Sequence, residues 1–184
     1  MSRHEIRFSG FGGQGVLFAG KLLAYAGLET DLQVVYFPSY GPEMRGGTAH
    51  CTVILSGDEI GSPFIRNPSA AIVMNIPSLV RYEPLVKEGG VLVVNTSLID
   101  REPGREDIAV IAVPANDIAE QVGDKRLANI VLLGALLHRL KIVPLDAVET
   151  SLRKHIPEYR RNLLEANIEA LTRGVRMVAE KDAV

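Results

Sequence analysis

Between Ile6 and Gly20 a short apolar run, a cluster of four glycines in six residues (Gly10, Gly12, Gly13 and Gly15) and a second apolar segment follow one another without a break. That order reads as a strand, a tight turn and a helix, which commits the chain to an α/β unit. Gly10, Gly12 and Gly15 satisfy G-x-G-x-x-G, with Gly13 and Gln14 filling the gap. Glycines at such a turn let a ligand or another backbone come close. The amides opening the next helix favour an anion in the turn.

A dinucleotide fingerprint also requires an acid about 20 residues on, at the end of the second strand, for the ribose hydroxyl. Here that strand ends at Phe37-Pro38-Ser39, and Glu29 and Asp31 precede it. The pattern therefore lacks the ribose contact. No Gly-Lys-Ser/Thr follows the glycines, so a P-loop is absent as well. His4, His50, His138 and His155 are scattered, with no metal-ligand spacing. Cys51, the single cysteine, lies on the apolar side of an alternating run and reads as a buried, inert thiol.

Strand-like runs at 4–9, 33–37, 48–55, 70–74, 91–94 and 107–113 alternate with helical stretches at 14–26, 78–87 and 115–121. Gly27 is expected to stop the first helix, and Pro84 to interrupt the second. The last third is helical, over 128–140, 145–154 and 159–180, with Pro144 at a helix start. The runs 70–74 and 91–94 are continuously apolar, as strands covered on both faces are. The expected fold is a three-layer α/β/α arrangement with a mostly parallel sheet, a Rossmann-like first βα unit and a helical C-terminal third. The turn at 55–60 predicts an antiparallel hairpin, with Ile60 to Phe64 returning as a short edge piece. The helix 128–140 is apolar nearly all round, so it must be buried, in this core or against another chain. Arg153-Lys154-His155 and Arg160-Arg161 read as a solvated basic surface near helix ends.

The 184 residues suit one domain, 1–184. A net charge of −2, with 47% hydrophobic residues, argues against nucleic acid or an anionic membrane as the main partner. No secretory signal and no membrane-length apolar run is evident, which predicts a cytoplasmic protein. One cysteine cannot supply the ligand set of an iron–sulfur cluster.

A second glycine-rich stretch, Tyr40-Gly41-Pro42-Glu43-Met44-Arg45-Gly46-Gly47-Thr48, follows the second strand. In an open α/β sheet that carboxyl end is where ligands bind. The two loops are therefore expected to face each other across one cleft, with Gly10, Gly12, Gly13, Gln14, Gly15, Tyr40, Gly41, Glu43, Arg45, Gly46 and Gly47 as its candidate residues. No catalytic residue and no metal ligand is assigned.

The chain resembles the gamma subunit of the 2-oxoacid:ferredoxin oxidoreductases. The resemblance is carried by Gly10-Phe-Gly-Gly-Gln-Gly-Val16 continuing into Ala19-Gly20, and by Ser39-Tyr-Gly-Pro-Glu-Met-Arg-Gly-Gly-Thr48. Asn95 and the Ala128-Asn129…Leu133-Gly134-Ala135 helix add to it. It implies a multisubunit enzyme that oxidatively decarboxylates a 2-oxoacid, forms an acyl-CoA and passes electrons to ferredoxin. Thiamine diphosphate and Mg²⁺ would sit on alpha and beta subunits, and the iron–sulfur clusters on beta or a delta chain. The gamma chain would complete the active site without catalysing alone, with CoA as a shared ligand meeting the glycine turn and Arg45. The Ser39–Gly47 form looks closest to 2-oxoglutarate-type members. Alternatives are a free-standing Rossmann-like nucleotide-binding oxidoreductase and a non-enzymatic interaction module. Expressed alone, such a chain is expected to self-associate through uncovered partner-facing surface.

Overall fold

A computed structural model describes residues 3–39 and 48–183. Six strands form one sheet in the order β2-β3-β1-β4-β5-β6: β1 (His4–Phe11), β2 (Gln33–Ser39), β3 (Thr48–Ser56), β4 (Ala70–Val73), β5 (Val91–Asn95) and β6 (Ala109–Val113). β1, β4, β5 and β6 pair in parallel, while β3 is antiparallel to both β1 and β2. Five strands therefore run one way and only β3 is reversed. The mostly parallel sheet agrees with the sequence, but the hairpin is β2–β3, not a turn at 55–60.

The predicted edge piece at 60–64 is not a strand. β2 already pairs with β3 from Gln33 to Ser39 and takes that edge of the sheet. The chain from 57 to 69 instead runs over the sheet, where Arg3 and Arg7 donate to the carbonyls of Ser62 and Ile65. Pro38 is tolerated within β2 because an edge strand has an unpaired side.

The helices are α1 (Val16–Leu28), α2 (Ile76–Tyr82), α3 (Ala115–Val122), α4 (Ala128–Leu140), α5 (Leu145–His155) and α6 (Leu164–Asp182). Gln14 lies before α1 rather than in it, and Gly27 lies inside it rather than stopping it. A side chain at Gly27 would meet Val34 Cγ2 at 2.9 Å, so glycine there permits the close seat of α1 on the sheet. Asn75 caps α2 by accepting from the Ser78 amide, and Pro84 turns its end into a 3-10 segment, Glu83–Leu85. The expected helix 159–180 divides into a 3-10 stretch, Glu158–Leu163, and α6.

Cover on the two faces is unequal. Ile6, Phe8, Val53, Ile72 and Val93 point to one side, where they pack with α1, α3, α4, α5 and α6. On the other, Ala71, Val73, Leu92 and Val94 meet a single helix, α2, and the turn after it, through Leu79, Tyr82 and Val86, together with Ile99 and Ile108 from the segments beside β5 and β6. β4 and β5 are thus buried at every position, and apolar at all but Asn95, because both of their faces are covered. Of the 13 residues of α4, ten are buried, so the helix without a polar face belongs to this core. Ile130, Leu132, Leu133 and Leu136 are fully buried there, each worth about 2 kcal/mol of burial.

Candidate functional site

The glycine turn leaves the carboxyl end of β1, the strand flanked by reversed β3 on one side and parallel β4 on the other. Gly13 and Gly15 both take positive φ, at 91° and 73°, and Gly15 is the residue before α1. No side chain caps that helix. Its first-turn amides, which have no partner within a helix, therefore face the turn. Gln14 folds back: its Oε1 accepts from the Phe11 amide at 2.6 Å and its Nε2 donates to the Met74 carbonyl at 3.4 Å. Gln14 thus braces the turn against the end of β4.

Gly15 is held from the core side. Asn129 of α4 donates from Nδ2 to the Gly15 carbonyl at 2.9 Å, while its Oδ1 is buried without a partner. A side chain at Gly15 would run into this amide; at Gly13 it would meet nothing within 4 Å. One glycine is packed shut and the other is open to approach.

Around the turn three hollows adjoin. A cavity of about 150 Å³ lies between Gly13, Gly15, Arg126, Asn129 and Arg160. A second, about 210 Å³, shares Gly13 and Arg126 with it and adds Gln14, Asn116 and Lys125. A third, about 450 Å³, shares Gln14 and is walled by Phe11, Ile76, Pro77 and Leu98. The groove so formed is cationic at one end and apolar at the other. Its cations are not equally available: Arg126 is engaged by Asp124 at 2.6 Å, and Lys125 by Glu120 at 3.2 Å. The Arg126 guanidinium beside Asp124 holds that carboxyl below the usual carboxylate range. Arg160 has no ion pair among the described residues and lies over the Tyr159 ring.

The structure brings Gly10, Gly12, Gly13, Gln14 and Gly15 together at the carboxyl edge. Tyr40, Gly41, Glu43, Arg45, Gly46 and Gly47 lie outside the described residues. Their described neighbours do lie at the same edge: Thr48 pairs with Phe11, and Ser39 with His50. Sequence reading missed Arg126, Lys125, Arg160 and the bracing role of Asn129. A buried amide on an otherwise apolar helix was the available signal for Asn129. Of the basic cluster, Lys154 pairs with Glu29, Arg153 with Glu165 and Arg161 with Glu158. Only Arg160 of that group turns to the groove.

Among the described residues the groove offers cations, backbone amides and apolar side chains. Cys51 is fully buried, and burial pushes its thiol up to about 12. Among the described residues no group of three His, Cys, Asp or Glu could hold a metal. A lone buried thiol cannot ligate an iron–sulfur cluster, so that cofactor does not fit this chain. No helix among the described residues is long and apolar enough to cross a membrane.

Residues 5–177 match the family model described as pyruvate ferredoxin/flavodoxin oxidoreductase. The chain is 37% identical to the ketoisovalerate oxidoreductase subunit VorA of Methanothermobacter marburgensis, over 92% of this chain but only 35% of that protein. It thus spans about a third of that relative's length. It is 34% identical to the 2-oxoglutarate synthase subunit KorC of Methanocaldococcus jannaschii, over 97% of this chain and 95% of that one. Among solved structures it resembles the gamma subunit of a keto/oxoacid ferredoxin oxidoreductase from Geobacter sulfurreducens, with a TM-score of 0.83 and 32% identity, covering 96% and 99% of the two chains.

Proposed function

The chain belongs to the pyruvate ferredoxin/flavodoxin oxidoreductase family, and from that membership we propose that it is the gamma subunit of a cytoplasmic 2-oxoacid:ferredoxin oxidoreductase. In this reading 1–184 is one gamma-type unit that joins alpha and beta chains, with or without a delta chain. Those chains carry thiamine diphosphate, Mg²⁺ and the iron–sulfur clusters. The complex converts a 2-oxoacid and CoA to acyl-CoA and CO₂ while two electrons reduce ferredoxin. The observation that carries the proposal is a groove built to bind, beside an end-to-end likeness to a separately encoded subunit. The same likeness favours 2-oxoglutarate as the 2-oxoacid.

The contribution of this chain is to hold CoA. CoA joins a phosphate-rich nucleotide to a long, weakly polar arm, and the groove has a cationic and an apolar end in that order. The open face of Gly13, the first amides of α1, Arg126 and Arg160 would meet the phosphates. Phe11, Ile76 and Leu98 would line the arm. Arg45, Glu43 and Tyr40 are the residues of the second glycine-rich stretch whose chemistry suits the same ligand. A resident NAD is disfavoured by topology: reversed β3 lies between β1 and β2, so the end of β2, where a ribose acid belongs, does not adjoin β1.

The test is reconstitution of the complex with variants of this chain. Arg126→Ala and Arg45→Ala are expected to raise the KM for CoA about tenfold, with 2-oxoacid-dependent reduction before CoA addition retained. An unchanged KM in both variants would remove the groove from CoA binding. Activity undiminished in a complex lacking this chain would sink the subunit reading itself.

A further inference from the structure

Where the cover of the sheet by α2 ends, at Tyr82, a positive charge lies without an ion pair among the described residues. Phe37 of β2, Thr52 of β3 and Arg7 of β1 stand in one row across the strands, and Ser39, His50 and Ser9 in the next. Arg7 packs with its guanidinium carbon 5.4 Å from the centre of the Tyr82 ring, and Arg81 lies at the same distance from that ring. His50 approaches the ring at 5.9 Å. Three buried polar atoms in this one cluster lack a partner: Arg7 Nε, His50 Nδ1 and the Tyr82 hydroxyl. Beyond a long bond of 3.5 Å to the Ile65 carbonyl, Arg7 has no acceptor among the described residues, and no described carboxylate pairs with Arg7 or Arg81.

Buried charges are paired, and buried donors are satisfied, because leaving either unmet is costly. Such a cluster is completed by an acceptor with negative charge. Beside it two aromatic rings project into solvent. Phe37 and Phe64 lie 5.7 Å apart and are 43% and 77% exposed. Aromatic residues and arginine around a desolvated centre make up the energetic core of protein interfaces.

We propose that this face of the sheet is a docking surface for a different subunit, in which Arg7, seated on Tyr82, receives an acidic side chain and Phe37 with Phe64 packs against apolar residues around it. The inference rests on the subunit reading above and adds to it which face is covered and by what chemistry. A second copy of this chain fits less well. A two-fold contact on this patch would set Arg7 and Arg81 against the same cations.

The experiment titrates the isolated chain onto the remaining subunits of the complex and follows association, with thermal unfolding of the chain alone in parallel. Arg7→Met and Phe64→Ser are each expected to weaken association about tenfold or more. Arg101→Ala, an exposed cation elsewhere, serves as control and stays at the parental affinity. Alone, Arg7→Met should melt no lower than the parent, since it removes a charge that no carboxylate among the described residues compensates. Parental affinity in both variants overturns the proposal. So does a lower melting point for Arg7→Met with unchanged association, which would make Arg7 a scaffold for Tyr82. A parental homodimer that these substitutions dissociate, with subunit association intact, would assign the face to a second copy instead. Failure of the parent chain to join the other subunits would take away the subunit reading as well, a result distinct from failure of the variants alone.

Discussion

Gly13 and Gly15 stand two residues apart in one turn with similar backbone angles, yet alanine should act very differently at the two. Both glycines have positive φ, so alanine costs backbone strain of about 1–2 kcal/mol at either. At Gly13 nothing stands within 4 Å of the added methyl, and that strain is the whole cost to the fold. At Gly15 the methyl displaces the Asn129 amide, whose carbon would lie at 2.9 Å, and the bond from Nδ2 to the Gly15 carbonyl is lost. Leaving those groups unmet in a buried place adds about 1–3 kcal/mol. Gly15→Ala should therefore cost about 2–5 kcal/mol. For a chain of this length that is a fall in Tm of about 6–15 °C, against about 3–6 °C for Gly13→Ala. Thermal unfolding followed by circular dichroism measures both. Adding Asn129→Ala to Gly15→Ala should return part of the loss, because the clash is gone and only strain remains. The order should invert for the ligand: Gly13→Ala, which occupies the open approach, should weaken CoA in the assembled enzyme beyond its small effect on folding. Equal falls in Tm at the two glycines, to within about 2 °C, would refute the bracing of the turn by α4.

Helices α4 and α6 touch through Gly134 and Gly174, where added side chains would meet the backbone of Leu171 and of Val131. Alanine gains about 1 kcal/mol of helix propensity but must part the helices, at about 1–3 kcal/mol, so Gly174→Ala should lower Tm; a rise would show that they separate freely. Burial, then Arg7 and Arg81, push the His50 imidazole down to about 4. The unfolded chain takes up that proton near pH 6.5 and the folded chain does not, so the contribution of His50 to stability is full above pH 6.5 and is lost as pH falls towards 4. An NMR titration in which the His50 ring signals move with a midpoint near 6.5 would contradict this. The Cys51 thiol, pushed up to about 12, should resist a disulfide reagent at pH 8 in the folded chain and react once in urea. Rapid reaction in the native state would place it outside the core.

Periodicity and glycine chemistry made the β1–turn–α1 unit, the two-sided burial of β4 and β5 and the burial of α4 legible in the sequence. Each depends on residues close in sequence. The pairing of β2 with β3 was not legible in that way. The alternation in 48–55 shows a strand with two different faces but carries no sign of its direction, and the turn at 56–59 offered an equally good local hairpin. Long-range register decided it, with Val34 against Leu55 and Tyr36 against Val53. The cations of the groove were hidden for the same reason. Arg126 and Arg160 are far from the glycines along the chain, and the 3-10 segments that carry them have weak patterns. Asn129 could be suspected from sequence, since a buried amide on an apolar helix must find a partner; which carbonyl it bonds could not.

The reversal of β3 explains why Ser39 and Thr48 lie at the same edge of the sheet as the glycine turn. In a sheet of parallel strands each crossover returns to the amino edge, so turns after β1 and after β2 share the carboxyl edge but belong to strands that each need a covering helix. Here β2 passes at its carboxyl end through residues 40–47 into β3, which starts at that edge and runs back beside β1. Thr48 consequently faces Phe11, one residue from the glycine turn. The hairpin needs no crossover helix, so on the far face α2 reaches Arg7 and His50 only through Tyr82, and the chain from 57 to 69 lies beside them. The same topological step returns β3 to Phe11 beside the glycine turn and leaves Phe37 exposed, with no helix over it. If the uncovered face docks a subunit, adding a helix there would abolish assembly while sparing the groove, and the two surfaces would fail independently. That independence is what the Arg7→Met and Arg126→Ala variants compare: the first should change association with CoA affinity intact once assembled, and the second the reverse. Variants that moved both properties together would mean that groove and face form one surface, and the division drawn from the direction of β3 would be wrong.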